Sequence, residues 1–343
     1  MIKSTPMTIA ARQLEALQTN ETTLQIDTLA AFCKASGDTL RLAILRVLRH
    51  NAYGVLELSQ LFEVKQSGMS HHLKVLAKAG LVATRREGNT IFYRRAPLPA
   101  EPALLDLHRH LFSTVDLIAP PPALQQRIQQ THQERTTASR EFFEQNTDRF
   151  HANQDLIASY AQYGEMVTEF LDSATPARHV VLEVGPGEGG FLPNLAQRFE
   201  QVIALDTSDE MLNRSKKIAL DQKLTNIQFV HGDTTLALEQ RLVADCITLN
   251  MVLHHTPDPA QIFEDLAQLL RPNGVLLVAE LCHHDQSWAR ESCGDLWMGF
   301  EPEDLSNWAT TAGLVEGESL YLAQRNGFQI QLRQFFKPFT GAY

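Results

Sequence analysis

Residues 180–190 of this 343-residue chain form an apolar run that leads directly into a glycine-rich turn. Glycine in such a turn lets the backbone approach a ligand closely, and a helix that begins after it offers free amide groups. Gly185 and Gly187 are therefore candidate ligand-binding positions. Together with Gly190 they also satisfy the GxGxxG pattern of dinucleotide-binding proteins, so the turn alone does not define the ligand.

Polar side chains that suit a nucleoside stand at the ends of the apolar runs that follow. Asp206 ends the run 201–206, where a carboxylate can accept hydrogen bonds from both ribose hydroxyls. Met211 follows five residues later and can cover an adenine face. Asp233 comes directly after the next run and is well placed to accept from an adenine amino group. This succession predicts a nucleoside site.

Donors of another kind lie between residues 66 and 86. Short side chains there suit base edges or phosphates, lysines suit phosphates, and paired arginines suit the minor groove or the DNA backbone. A charged, solvated face would explain the lysines equally well. The candidate DNA-binding residues are Ser67, Ser70, His71, Lys74, Lys78, Arg85 and Arg86.

The elements that must position these donors follow in order from Asp38, which is placed to cap the first helix. Three short helices precede two β-rich runs, and Glu87, Gly88 and Asn89 between the runs favour a tight hairpin. This order predicts a mainly α winged helix-turn-helix whose third helix enters the DNA major groove. The predicted helices cover 38–48, 55–62 and 64–76, and the predicted strands cover 81–86 and 90–94.

Strand-like and helix-like segments alternate after residue 178, which is typical of an α/β Rossmann-like, doubly wound parallel sheet. Two final runs, 314–323 and 328–336, flank Asn326 and Gly327, and that pair is a hairpin signal. The parallel sheet should therefore end in an antiparallel hairpin. The five parallel strands are predicted near 179–184, 201–206, 226–231, 244–250 and 274–279.

Length and charge both indicate several domains, since one hydrophobic core seldom serves this many residues. Residues 1–100 carry 13 Lys and Arg against 7 Asp and Glu, although the whole chain has a net charge of -10. A basic segment beside an acidic one is a sign of nucleic-acid binding. The predicted parts are an N-terminal extension at 1–30, the winged helix with a dimerisation helix at 31–118, a proline-containing linker and helical segment at 119–177, and the ligand-binding domain at 178–343.

The run from Gln66 to Val82 and the wing from Arg85 to Tyr93 resemble the ArsR/SmtB family of bacterial repressors. The resemblance covers roughly residues 30–118. It implies a homodimer, formed through the helix at 104–118, on an inverted repeat in double-stranded operator DNA, with repression relieved by a ligand. Many arsenic and cadmium sensors of the family carry a cysteine pair in the stretch corresponding to 55–61, and its absence here disfavours soft-metal sensing.

The ordered motifs between 178 and 337 resemble the class I S-adenosylmethionine-dependent methyltransferases, and look closest to the branch with the quinone-biosynthesis enzymes. The resemblance implies S-adenosyl-L-methionine (SAM) or S-adenosyl-L-homocysteine (SAH) as the ligand. A nicotinamide dinucleotide is disfavoured as the ligand, because the fold of proteins that bind it predicts neither the position of Asp233 nor the final hairpin. An alternative interpretation is that Glu183 is structural and accepts hydrogen bonds from amides of the turn instead of contacting the ligand. The implied cofactor contacts are Glu183, Gly185, Gly187, Asp206, Met211, Asp233 and Asn250.

His254 and His255 follow the fourth strand, at the edge where ligands bind in open sheets. Methyl transfer is an in-line displacement that needs mainly proximity and orientation, and a general base is required only if the acceptor must lose a proton. The two histidines are the candidate catalytic bases, with the alternative that one merely orients its loop.

Further polar and aromatic residues lie after the fifth strand, where methyltransferases of this type place acceptor-binding elements. We interpret them as acceptor or lid contacts, because adjacent histidines on a loop are poor evidence for a metal site. His108 and His110, on the predicted dimerisation helix, are interpreted as exposed histidines. No residue is assigned as a metal ligand. The acceptor candidates are Glu280, His283, His284, Asp285, Trp288, Trp297, Phe300 and Trp308.

Two functions are compatible with these motifs. The chain is either a transcriptional regulator whose methyltransferase domain senses SAM or SAH, or an active methyltransferase for a small-molecule acceptor with the winged helix as a regulatory module. Arsenic methylation is disfavoured, because the four cysteines are scattered without a pair. Their scatter, with no transmembrane-length apolar run and no signal-peptide pattern, predicts a cytoplasmic protein without membrane association.

Overall fold

The structure is a computed structural model that describes residues 26–49, 51–87, 90–99, 101–174 and 177–339. It divides into two compact units, the first ending at Gln129 and the second beginning at Gln130. Most of the predicted N-terminal extension, together with Gly88 and Asn89 of the predicted hairpin, lies outside the described residues. None of the described helices is long and apolar enough to cross a membrane.

The first unit combines short helices with a three-stranded sheet in which β3 lies between β1 and β2. The two-residue strand β1 was not predicted. Asp38 caps α2 as predicted, because its side chain accepts the backbone N–H of Arg41 at 2.9 Å. The elements are α1 (26–36), α2 (Thr39–Val47), β1 (Tyr53–Gly54), α3 (Val55–Phe62), α4 (Gln66–Lys78), β2 (Val82–Glu87), β3 (Thr90–Arg95) and α5 (Pro102–Asp116).

The core of the first unit fixes the orientation of α4. Met69, Leu73 and Leu76 are fully buried and belong to the same apolar cluster as Leu45 and Leu58. Because residues three and four apart share one face of a helix, burial of these three leaves the opposite face of α4 for solvent.

The second unit is built around a seven-stranded sheet. Its strands are β4 (Val180–Val184), β5 (Gln201–Asp206), β6 (Ile227–His231), β7 (Ala244–Asn250), β8 (Leu270–Leu281), β9 (Val315–Ala323) and β10 (Gln329–Phe336). Its helices are α6 (Pro122–Ala158, which begins in the first unit), α7 (Tyr160–Ser173), α8 (Leu192–Arg198), α9 (Asp209–Asp221), α10 (Thr234–Glu239), α11 (Pro259–Leu269), α12 (Ser287–Cys293) and α13 (Pro302–Thr311), with a 3₁₀ turn at Leu253–His255.

The strands follow the order β6-β5-β4-β7-β8-β10-β9. Neighbours from β6 to β8 are parallel, whereas β10 is antiparallel to both β8 and β9. The predicted Rossmann-like sheet with a final antiparallel hairpin is therefore confirmed. Because parallel strands point the same way, the residues that follow β4, β5, β6 and β7 lie along one edge of the sheet.

The proline-rich junction differs from the prediction of a linker. Pro122 begins α6, since a proline at the first helical position loses no intrahelical hydrogen bond. Leu124 and Ile128 of α6 pack against the first core, while Val167 and Leu171 of α7 belong to the second. The predicted segment 119–177 is thus divided between the units, and the division falls after Gln129 instead of after residue 118.

Candidate functional site

The turn after β4 places glycine where a larger side chain would clash or strain the backbone. Gly185 has a φ of 67°, and a Cβ added to it would lie 2.6 Å from Cγ2 of Val252. Gly187 has a φ of 53°, but a Cβ there would meet no atom within 4 Å. Gly185 is therefore required by packing, whereas Gly187 borders open space that a ligand can enter.

Glu183 lies at the end of β4, with 2% of its surface exposed. Its carboxylate accepts from Oγ1 of Thr248 at 2.6 Å and from Nδ2 of Asn250 at 3.0 Å. Burial raises the pKa of Glu183 to about 7, against the effect of these two hydrogen bonds. Its partners are thus side chains of β7, not the amides of the turn that the alternative interpretation required.

Asn250 is left with one free acceptor by this contact. Its Nδ2 is used by Glu183, while its Oδ1 is buried and has no hydrogen-bond partner within the described part of the chain. Buried polar atoms are normally satisfied, so an unsatisfied one requires an explanation. A ligand that donates a hydrogen bond at this edge would provide it.

Asp206 and Met211 stand at the adjacent strand end. The carboxylate of Asp206 accepts from the backbone N–H of Ser208 at 2.8 Å and from the backbone N–H of Gly187. Burial raises its pKa to about 6, against the effect of these hydrogen bonds. Met211 lies in the first turn of α9 and is 9% exposed. The predicted ribose contact, Asp206, is therefore next to the glycine turn, and the predicted adenine contact, Met211, follows in the helix after the same strand.

Asp233 follows β6 and caps α10, because its Oδ1 accepts the backbone N–H of Leu236 at 3.0 Å. The residue is exposed. Its capping role does not exclude a ligand contact, since a carboxylate has several acceptor positions.

The predicted cofactor residues therefore come from the ends of four neighbouring strands and the segments that follow them. Hydrogen bonds join two pairs of them, Glu183 with Asn250 and Asp206 with Gly187. Sequence reasoning missed Thr248, which is fully buried. The sequence does contain a signal for it, because side chains two residues apart on a strand share a face and Asn250 is a predicted cofactor contact.

His254 and His255 lie in the 3₁₀ turn after β7, with ring centroids 4.0 Å apart. His254 is 1% exposed, and its Nδ1 lies 2.6 Å from Oε1 of Glu280. Burial lowers the pKa of His254, but attraction by Glu280 and Asp295 outweighs this effect and raises the pKa to about 9. Burial and the charge of His254 hold the pKa of His255 well below its usual value.

Asp295, which sequence reasoning missed, faces both histidines. The residue is 2% exposed, and its Oδ1 lies 3.9 Å from Nε2 of His254 and 3.6 Å from Nδ1 of His255. The backbone amides of Leu296 and Trp297 donate to the carbonyl of His254 at 2.9 and 3.1 Å, which holds this loop in place. Nothing in the local sequence around residue 295 indicates such a long-range contact.

Five of the predicted acceptor residues fall into two aromatic groups, whereas Glu280 lies in β8 next to His254. His284 and Trp288 pack against Phe328, with ring centroids 4.7 and 5.8 Å away. Trp297 and Trp308 pack against Phe300 at 6.4 and 5.1 Å. Their role in acceptor binding stays a prediction.

The predicted recognition helix, α4, presents its donors outward. Ser67, His71, Lys74 and Lys78 are exposed, and Ser70 is half-buried. The spacing of three or four residues places them on the face opposite the buried leucines. Within the described first unit this face is exposed to solvent, as the predicted DNA contact requires.

The two wing arginines are not equivalent. Arg86 is exposed, but Arg85 is only 8% exposed. Successive side chains of a strand point to opposite faces, so two adjacent arginines in β2 cannot both face solvent when one face is covered. The burial of Arg85 contradicts its predicted DNA contact, and Arg86 stays a predicted wing contact.

His108 also differs from its prediction. The residue is 3% exposed, its Nδ1 lies 2.8 Å from the carbonyl oxygen of Leu104, and its ring lies 5.0 Å from that of Phe32. It is thus a buried packing residue of α5, whereas His110 is exposed as expected.

Two family profiles match the chain. The profile described as "Methyltransferase domain" matches residues 145–330, and that of "Bacterial regulatory protein, arsR family" matches residues 38–84. The first match covers more than half of the chain, and the chain therefore belongs to the methyltransferase-domain family. It carries an ArsR-family helix-turn-helix in front of that domain. Both resemblances predicted from the sequence are confirmed, as is the SAM or SAH type of cofactor.

Similar proteins cover parts of the chain. Ubiquinone biosynthesis O-methyltransferase of Xanthomonas axonopodis pv. citri is 29% identical over 174 residues, 46% of this chain and 73% of that protein. tRNA 5-carboxymethoxyuridine methyltransferase of Escherichia coli is 35% identical over 103 residues, 29% of this chain and 40% of that protein. A solved O-methyltransferase family protein from Burkholderia thailandensis has a TM-score of 0.47 and 15% identity, and the match covers 98% of this chain and 100% of that one.

Proposed function

We propose that the protein is a DNA-binding transcriptional regulator of the ArsR type whose methyltransferase domain senses SAM or SAH. The observation that carries the proposal is that one chain combines two features. Hydrogen-bond donors are exposed on α4, and residues suited to a nucleoside lie at the ends of the parallel strands of the second sheet. A ligand changes DNA affinity only if it binds the DNA-competent and incompetent states with different affinities. Helix α6, which begins in one unit and ends in the other, is the covalent route between them.

The residues at the sheet edge fit SAM or SAH. Oδ1 of Asn250, buried and unsatisfied within the described chain, would accept from the amino group of the ligand. Asp206 would accept from the ribose hydroxyls, Met211 would cover the adenine, and Asp233 would accept from its amino group. The open space at Gly187 gives the ligand access to the backbone. Bound SAM supplies an electrophilic methyl group, which SAH lacks.

The DNA partner would be an inverted repeat bound by a homodimer. Leu107, Leu117 and Ile118, in or directly after α5, are 38%, 87% and 62% exposed. Large apolar side chains exposed together at the predicted dimerisation helix support a two-fold interface there. Such a dimer would place one α4 helix in each of two successive major grooves. Binding to chromosomal DNA implies the predicted cytoplasmic location.

Operator binding by the full-length protein tests the sensor function. A duplex selected from random DNA by the protein itself would be titrated without nucleoside, with SAM and with SAH, and followed by fluorescence anisotropy. We expect one nucleoside to shift the DNA Kd by about fivefold or more. Asp206→Asn protein should bind the duplex equally in all three conditions. Identical affinities for the wild-type protein would contradict sensing.

A second candidate function is methyl transfer to a small molecule, regulated by the winged helix. Two observations favour it: the residues predicted to bind the cofactor lie together at the strand ends, and His255, whose pKa is held low, lies beyond β7 as a candidate base. The similar ubiquinone enzyme is named an O-methyltransferase, which directs a test toward hydroxylated acceptors. Formation of SAH from SAM over a panel of phenols, amines and thiols would establish activity. Protein that binds SAM but never converts it over that panel would contradict this function.

A further inference from the structure

We infer that His254, His255 and Asp295 form a binding site for a divalent transition-metal cation such as Zn²⁺. Their donor atoms all lie within 4.8 Å of one another. Two imidazoles and one carboxylate are a common set of protein ligands for zinc, with the fourth position left to water or another molecule. In the described part of the chain, no other group of three His, Cys, Asp or Glu side chains converges in this way.

The spacing needs only small movements to close around a cation. Zinc–ligand bonds of about 2.0–2.1 Å in a tetrahedron place neighbouring donors roughly 3.4 Å apart. Oδ1 of Asp295 lies 3.6 Å from Nδ1 of His255 and 3.9 Å from Nε2 of His254. Because both histidines lie in a short turn and Asp295 lies in a loop after α12, side-chain rotations can supply the remaining shift.

Glu280 supports the assignment from the far side of His254. Its Oε1 lies 2.6 Å from Nδ1 of that histidine, and its Oε2 accepts the backbone N–H of His254 at 3.3 Å. A carboxylate on one imidazole nitrogen directs the lone pair of the other toward a metal, and this arrangement is typical of histidine ligands. Here the other nitrogen, Nε2, is the one that faces Asp295.

The charge of the cluster also favours a cation. Glu280 and Asp295 are 0% and 2% exposed, so two buried carboxylates face opposite ring nitrogens of His254. Buried charges require compensation by an opposite charge. One divalent cation bound by neutral imidazoles would balance both carboxylates. The set contains nitrogen and oxygen but no thiolate, which selects zinc, nickel or cobalt over soft ions such as copper(I).

A bound cation would fasten the turn after β7 to the loop at 294–297. That loop already donates two backbone hydrogen bonds to the carbonyl of His254, and Nε1 of Trp297 donates to the carbonyl of Thr256 at 2.8 Å.

The assignment gives the histidines a role other than that of bases, because a metal-bound nitrogen has no lone pair for a proton. His283 lies outside this group, with its Nδ1 3.0 Å from the carbonyl oxygen of Met298.

Cobalt(II), whose visible absorption reports its coordination geometry, is the probe for this site. Full-length protein would be stripped with a chelator and titrated with Co²⁺ alone. We expect one equivalent to bind with the intense absorption of a four- or five-coordinate ion, and Zn²⁺ to displace it. The absence of this spectrum at one equivalent would overturn the assignment.

Substitutions locate the ion. Asp295→Asn and His255→Gln should each weaken Co²⁺ binding at least about tenfold, and Glu280→Gln should weaken it about 10- to 100-fold. His283→Gln is the matched control and should bind like the wild type. Circular dichroism checks that each variant folds, and the partly exposed His255 carries the test if Asp295→Asn does not. Equal binding by all variants, or loss confined to His283→Gln, would overturn the assignment.

Discussion

Asn250 donates to Glu183 over 3.0 Å, from the end of β7 to the end of β4. The contact fixes the amide so that Nδ2 faces the carboxylate and Oδ1 remains a buried, unused acceptor within the described chain. Glu183 thereby acts as a positioning residue for Asn250, with Thr248 satisfying its second oxygen. Substitutions of Asn250 and of Thr248 should therefore have different effects, which an experiment can distinguish.

Asn250→Leu should weaken SAH binding about tenfold or more, because a hydrogen bond to a charged ligand group contributes about 1.5–3 kcal/mol. Thr248→Val should instead lower the thermal stability of the second unit, because it removes a buried partner of Glu183 without touching the ligand acceptor. Isothermal titration with SAH and differential scanning calorimetry separate these effects. If Thr248→Val weakens SAH binding as much as Asn250→Leu does, the free Oδ1 is not the ligand contact.

Asp206 should make SAH binding dependent on pH. Burial raises its pKa from 3.8 to about 6, so the carboxylate that would accept from ribose becomes protonated as the pH falls through that value. We expect a flat affinity above about pH 7 and a loss approaching tenfold per pH unit below about pH 6.

Titration calorimetry with SAH, repeated from below about pH 6 to above about pH 7, measures how its affinity depends on pH. Glu183, with a pKa of about 7, titrates nearby, so Asp206→Asn is the necessary control. This variant should bind SAH weakly and without the step near pH 6. A step that persists in Asp206→Asn would assign the titration to another group.

The cofactor edge could be predicted from sequence because its residues lie in regular places. Asp206 and Asn250 each end an apolar run, and parallel strands bring such ends to one edge whatever the loops do. Asp295 could not be predicted in this way. Its position depends on the amides of Leu296 and Trp297 reaching the carbonyl of His254, about forty residues away, and no local pattern encodes that contact.

Two other differences follow from physical rules that the sequence does display. Arg85 alternates with Arg86 along β2, so strand periodicity predicts that one of them is buried. Pro122 is compatible with the first turn of a helix, so three prolines end α5 and also allow α6 to begin. The proposed dimer, by contrast, depends on contacts of exposed residues such as Leu117 with a second chain, which no periodicity within one sequence encodes.

The glycine turn should respond differently at its two positions. Gly185→Ala places a Cβ 2.6 Å from Val252 and strains a φ of 67°, so we expect a large fall in the melting temperature of the second unit. Gly187→Ala meets no atom within 4 Å and should cost only about 1–2 kcal/mol for its left-handed backbone. It should nevertheless weaken SAH binding, because its methyl group occupies the open space. Calorimetry measures the melting temperatures, and titration measures SAH binding. Equal melting temperatures for Gly185→Ala and Gly187→Ala would mean that the Val252 contact is unimportant.

Substitutions of the two wing arginines test the proposed DNA-binding face most directly. Arg86→Ala removes an exposed cation, so the affinity for DNA should fall across sequences and the slope of log K against log salt should become shallower by about one. Arg85→Ala removes a side chain that is 8% exposed, so it should lower the melting temperature of the first unit and leave the salt slope unchanged. Lys74→Ala, on the exposed face of α4, is the positive control and should behave like Arg86→Ala. Anisotropy titrations over a salt series, paired with calorimetry, measure both quantities.

Equal salt slopes for Arg85→Ala and Arg86→Ala, both shallower than that of the wild type, would mean that Arg85 contacts DNA after all. In that case β2 would have to turn its covered face outward when the protein binds its operator.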